Sequence, residues 1–200
     1  MDILTSAPKL NVINLFGGPS AGKSTMALGM ASELKLRRIS AELVTEVAKD
    51  MVWDEAFTLL RDQVMVAALQ YHRLWRLQGK VDVAITDSPI ILSKIYNRHA
   101  LKTFDPFIDE LFGEFRNINL FVERPVVHEY DKIGRIHDEL EAIEIDKHIK
   151  RMLKDNGIPF ETVPCSKESI EEVLTYYGIG AEERWQVRAT ESGEDQQCSL

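Results

Sequence analysis

Two hundred residues carry 24 lysines and arginines against 32 aspartates and glutamates, a net charge of −8 that disfavours a non-specific grip on polyphosphate and leaves room only for a local basic face. With 44 % hydrophobic residues, the length is enough for one full core, so a single compact domain is expected. Cys165 and Cys198 stand far apart without C-x-x-C or Cys/His spacing, which argues against a disulfide framework or a zinc site and suits a reducing cytoplasm. The first residues show no basic stretch followed by an apolar run, and no segment approaches the ~18 apolar residues of a membrane span. A cytoplasmic chain without a membrane partner is expected.

The chain then reads as alternating strands and helices. Leu10-Asn11-Val12-Ile13-Asn14-Leu15-Phe16 is strand-like, and a helix is expected over about 23–37. Between them Gly17-Gly18-Pro19-Ser20-Ala21-Gly22-Lys23-Ser24 completes the pattern G-x-x-x-x-G-K-[ST]. Small residues let the backbone N–H groups of residues 17–25, through Thr25, curl around a phosphate chain at the positive end of a helix. Lys23 would reach the β- and γ-phosphates and the Ser24 hydroxyl would ligate Mg²⁺. The pattern in this strand–helix setting points to a nucleoside triphosphate, ATP, as the bound nucleotide.

A second strand is expected over 40–45, followed by Glu46, Lys49 and Asp50 at the same sheet edge, where a carboxylate could orient or deprotonate an acceptor hydroxyl. Apolar residues at helical spacing from Phe57 to Trp75 predict one long amphipathic helix over 55–79, ended by Gly79. Val81 to Thr86 reads as a buried strand delivering Asp87 at its end, placed to share magnesium with Ser24; Asp87-Ser88-Pro89 is also a good helix start. A helix over 105–116 and a strand over 118–122 follow. The stretch from Arg124 to Arg135 has an arginine near each end, as fits a short lid that stabilises charge on a transferring phosphoryl group. A helix over 139–155, a strand over 159–163 and a helix over 167–177 complete a kinase domain of residues 1–181. The polar segment 182–200 reads as a disordered tail. Five strands alternating with helices predict an α/β fold of the P-loop NTPase type, a parallel sheet with helices on both faces, nucleotide-kinase-like.

Other residues carry less chemistry. The five histidines show no metal spacing. Gln63 and Gln70 lie one heptad apart, where an amide could read a pyrimidine edge, although solvated side chains are the plainer expectation. Lys94, Arg98, His99 and Lys102 could meet an acceptor phosphate or a DNA strand, or form a solvated face. Trp53, Trp75, Phe107, Phe112 and Phe115 read as core. Pro164-Cys165-Ser166-Lys167 occupies the position that often wraps adenine in this architecture.

The stretches Asn14–Pro19, Glu42–Asp50, Gly79–Pro89, Gly134-Arg135 and Glu141–Asp146 resemble phage-encoded P-loop kinases related to thymidylate kinases and to the kinase domains of nicotinamide riboside enzymes. The resemblance covers about residues 10–175. It implies an ATP- and Mg²⁺-dependent kinase, and among such proteins are 5-hydroxymethyluracil DNA kinases, which act in thymidine hypermodification. It departs from that group at Glu123–His128, where a more basic lid is expected, and at Val47, where an aromatic is. On this basis the chain is expected to transfer the γ-phosphoryl group of ATP to a nucleoside-type hydroxyl, with Lys23, Glu46, Asp87, Arg124 and Arg135 as catalytic residues. The expected acceptor is 5-hydroxymethyluracil in phage DNA, in the host cytoplasm, which the resemblance favours; the alternative, which net charge favours, is a free nucleoside or nucleotide. A P-loop ATPase switch that drives a partner is the alternative from another class.

Overall fold

The computed structural model describes residues 8–97, 101–124 and 139–179. The tail from 182 onward, Arg98, His99 and the lid from Pro125 to Asp138, Arg135 included, lie outside the described residues.

Five short strands form one parallel sheet: β1 (Asn11–Phe16), β2 (Ala41–Val44), β3 (Val83–Thr86), β4 (Arg116–Glu123) and β5 (Glu161–Pro164), in the order β2-β3-β1-β4-β5. Parallel strands need helical crossovers, and those helices bury both faces of the sheet. Alternation along β1 shows the consequence. Ile13 and Leu15 join the cluster covered by α1 (Lys23–Leu36) and α8 (Lys167–Tyr176), with Met26, Met30, Leu34 and Leu174. Val12 and Phe16 point the other way, among side chains of α4 (Gln63–Trp75), α6 (Phe104–Gly113) and α7 (Glu139–Asp155), including Leu74, Ile108 and Ile149. The fold class expected from the sequence is the one observed.

The segment after β2 is a helix, α2 (Val47–Trp53). Two local expectations are corrected. The long helix is broken into α3 (Phe57–Arg61) and α4, because Asp62 leaves helical dihedrals (φ −83°, ψ 90°) and caps α4 by accepting from the N–H groups of Val64 and Met65. A cap of this kind contributes about 1 kcal/mol and offsets the lost turn. Trp53 and Trp75 are 59 % and 52 % exposed, so neither is core; Phe112 and Phe115 are buried, while Phe107 is not. The remaining short helix, α5 (Ser93–Tyr96), follows a single 3₁₀ turn over Ile90–Leu92. No helix among the described residues is long and apolar enough to cross a membrane.

Candidate functional site

The central strands β1 and β3 end side by side, in register from Asn11 opposite Val83 to Asn14 opposite Thr86. The sequence leaves β1 through the loop 17–24 and β3 through Asp87, so the two motifs share the carboxyl edge of the sheet. Gly22, the residue before α1, has φ +94°, and a Cβ there would lie 2.6 Å from the Cys165 sulfur. Glycine is required on both counts. No side chain caps α1, and its first turn holds no acidic residue, so its positive end is uncompensated and suited to an anion. Lys23 Nζ donates to the Gly18 carbonyl at 2.9 Å, folded back over the loop.

Ser24 Oγ donates to Asp87 Oδ2 at 2.5 Å. Asp87 is only 6 % exposed, and its Oδ1 is buried without a hydrogen-bond partner among the described residues. An unpartnered buried carboxylate oxygen is costly, and beside a hydroxyl it forms a hard oxygen set of the kind Mg²⁺ takes together with phosphates and water. Among the described residues no group of three or more His, Cys, Asp or Glu gathers elsewhere as a metal cage.

Asp146 on α7, a residue to which sequence reasoning gave no role, holds the loop from behind. Its Oδ1 accepts from the Gly18 N–H. Its Oδ2 accepts from Arg124 Nη2 at 3.1 Å and Nε at 3.3 Å, and the same Nη2 donates to the Pro19 carbonyl at 2.8 Å. A side chain at Gly18 would collide with the Ala142 carbonyl, 2.5 Å from its Cβ. Arg124 thus lies under the loop, and its Nη1 is buried without a partner among the described residues. The available signal was a carboxylate beside the apolar stripe Ala142, Ile145 and Ile149, all buried. Such a group is expected to be paired.

A cleft of about 580 Å³ opens in front of the loop. Lys23, Ser24 and Asp87 line it together with Glu46, Lys49, Phe57 and Tyr96. Glu46 immediately precedes α2 and is half-buried. Asp50 is not in the cleft wall; its carboxylate takes Arg73 Nη2 at 2.5 Å. Gln63 and Gln70 both line the cleft but are 6 % and 2 % exposed, so neither is a solvated side chain. Lys94 does not face an acceptor: its side chain is 7 % exposed and donates to Asp109 at 2.6 Å and to Asn156 at 3.0 Å. Cys165 donates to the Gly22 carbonyl at 3.6 Å, and burial pushes its thiol up from the ordinary value, keeping it protonated at neutral pH.

No curated protein sequence matches the chain. Among solved structures, deoxyadenosine kinase from M. mycoides with bound dATP superposes with a TM-score of 0.57 at 18 % identity, covering 84 % of this chain and 98 % of that one. The same enzyme with dCMP and dCDP gives 0.51 at 15 % identity, again covering 84 % of this chain and 98 % of that one. At these identities the likeness is one of fold. Residues 12–172, from β1 into α8 and including the loop, Asp87, Arg124 and Asp146, match the AAA domain family, and the chain belongs to that family.

Proposed function

We propose that this chain is an ATP- and Mg²⁺-dependent kinase whose acceptor is a nucleoside-type hydroxyl. The observation that carries the reading is the Ser24–Asp87 pair, with its unpartnered Oδ1, in a cleft that Glu46 also lines. The loop N–H groups from Ser20 to Thr25 bind the triphosphate and Lys23 leaves the Gly18 carbonyl to pair with its terminal oxygens. Magnesium, held by Ser24 and Asp87, would neutralise charge on the phosphates. The acceptor oxygen forms a bond to the γ-phosphorus as the bond to the β–γ bridging oxygen breaks. ADP leaves, and the hydroxyl proton passes to Glu46. Arg135 stabilises the charge that develops on the transferring group, while Arg124 supports the loop through Pro19 and Asp146.

The cleft volume lies in the range that encloses one small molecule, and its aromatic walls suit a nucleobase. The hydroxymethyl group of 5-hydroxymethyluracil in DNA would have to be turned out of the stack to enter, at a cost of a few kcal/mol. Such a strand also needs phosphate contacts, and Lys94, one of the few cations available for them, is spent on Asp109. The free nucleoside or nucleotide is therefore the favoured acceptor, over the modified base in phage DNA. The deciding experiment offers γ-labelled ATP with deoxyadenosine, thymidine, dTMP, nicotinamide riboside, 5-hydroxymethyl-2′-deoxyuridine and 5-hydroxymethyluracil DNA. Label on a free nucleoside or nucleotide is expected. Label on the DNA alone would move the acceptor to the polymer, and label on none would overturn the kinase reading.

A further inference from the structure

We infer that Gln70 is the positioning residue that fixes the acceptor-side carboxylate Glu46 against the strand that delivers Asp87; the inference rests on the kinase reading above. Gln70 sits on α4 and is 2 % exposed, yet its amide is fully engaged. Oε1 accepts from the Val47 N–H at 3.0 Å, while Nε2 donates to the Thr45 carbonyl at 3.3 Å and to Thr86 Oγ1 at 3.4 Å. Thr86 Oγ1 in turn accepts from the Ser88 N–H at 3.1 Å. One amide therefore grips the backbone on both sides of Glu46 and, through Thr86, both sides of Asp87. The orientation follows from the partners, because a reversed amide would set NH₂ against the Val47 N–H and oxygen against the Thr45 carbonyl.

Both N–H donors of Gln70 are consumed by the protein. The amide therefore cannot donate to a base in the cleft it lines, and its chemistry is that of a brace. Arg73, one helical turn along α4, fastens the same turn from outside: its Nη1 donates to Thr45 O and Oγ1, both at 3.0 Å, and its Nη2 to Asp50. Glu46 is thereby held at a segment pinned at residues 45, 47 and 50. Proton transfer and in-line attack tolerate little misplacement, and an error near 1 Å can cost about 100-fold in rate.

The test uses the full chain with Gln70→Met, which keeps length and apolar volume, with Thr86→Val, and with the double variant. Amide hydrogen exchange should quicken in segments 45–50 and 86–90 of Gln70→Met while α1 keeps its protection. With whichever probe of the panel above accepts label, kcat should fall about 10- to 100-fold with KM for ATP within about twofold. The double variant should lose less than the sum of the two single losses, because the Gln70–Thr86 bond is broken in both. A purely structural role would instead lower the melting temperature and leave kcat per folded molecule unchanged, which overturns the inference. Unchanged exchange in both segments overturns it too, whatever the activity. Absence of transfer by the unmodified chain would sink the kinase reading alone and leave the exchange measurement to decide the brace.

Discussion

The hydroxyl of Ser24 and the carboxylate of Asp87 lie 63 residues apart in sequence and 2.5 Å apart in the fold, and the second oxygen of that carboxylate is buried without a partner among the described residues. The fold thus keeps an unpartnered carboxylate oxygen where the kinase reading places a magnesium ion. Asp87→Asn should remove several kcal/mol of charge stabilisation, on the order of a 100-fold loss in kcat or more, and shift the magnesium titration to higher concentration. An unchanged rate and magnesium dependence would reduce Asp87 to a helix-start residue.

Lys23→Ala tests the loop separately from the fold. Lys23 donates to the Gly18 carbonyl and lines the cleft rather than the core. Urea unfolding should shift by no more than about 1 kcal/mol. Phosphoryl transfer should fall below detection. Near-normal turnover would contradict the assignment of residues 17–25 to the triphosphate.

Asp146 binds one neutral and one charged group that support the loop. Asp146→Ala leaves the Arg124 guanidinium, 14 % exposed, without its counter-charge. The cost of breaking such a pair is about 3 kcal/mol or somewhat more. Denaturant titration should show that loss together with weakened ATP binding, while Asp146→Asn, which still accepts from the Gly18 N–H, should lose less of both. Full ATP affinity in Asp146→Ala would mean that the loop needs no support from α7.

Tyr177 gives a pH dependence remote from the cleft. Burial, then a hydrogen bond and charge repulsion from Glu161, push its phenol up to about 12. Between the ordinary value near 10 and this raised one, the unfolded chain loses the proton that the folded chain keeps. Stability from this source is therefore intact below about pH 10 and declines as pH rises towards 12. In Tyr177→Phe the slope of unfolding free energy against pH should be shallower across that window; an unaltered slope would refute the assignment.

The strands along the chain, the phosphate loop and Asp87 were legible because each is written locally. Apolar runs mark β1 and β3, and the loop's glycines sit at fixed spacing between a strand and a helix. Asp62 was read through because an aspartate inside a periodic apolar pattern does not announce whether it caps or continues a helix. Gln70 and Asp146 were illegible in their roles for a different reason. Their partners, Val47 and Thr86 for one, Gly18 and Arg124 for the other, are 16 to 128 residues away. Only the folded sheet brings those backbone groups within reach. Lys94 shows the converse, a cation that looks available in sequence and is consumed by Asp109 within α6 and Asn156 just beyond α7.

The central claim, a kinase rather than a nucleotide-driven switch, turns on where the γ-phosphoryl group goes. The direct measurement follows ADP, inorganic phosphate and labelled acceptor together in one reaction, with magnesium ATP and each member of the nucleoside panel. The account predicts ADP formation that accelerates with one acceptor and is matched mole for mole by labelled acceptor, with inorganic phosphate a minor product. ADP matched by inorganic phosphate under every acceptor, and no labelled organic product, would contradict it.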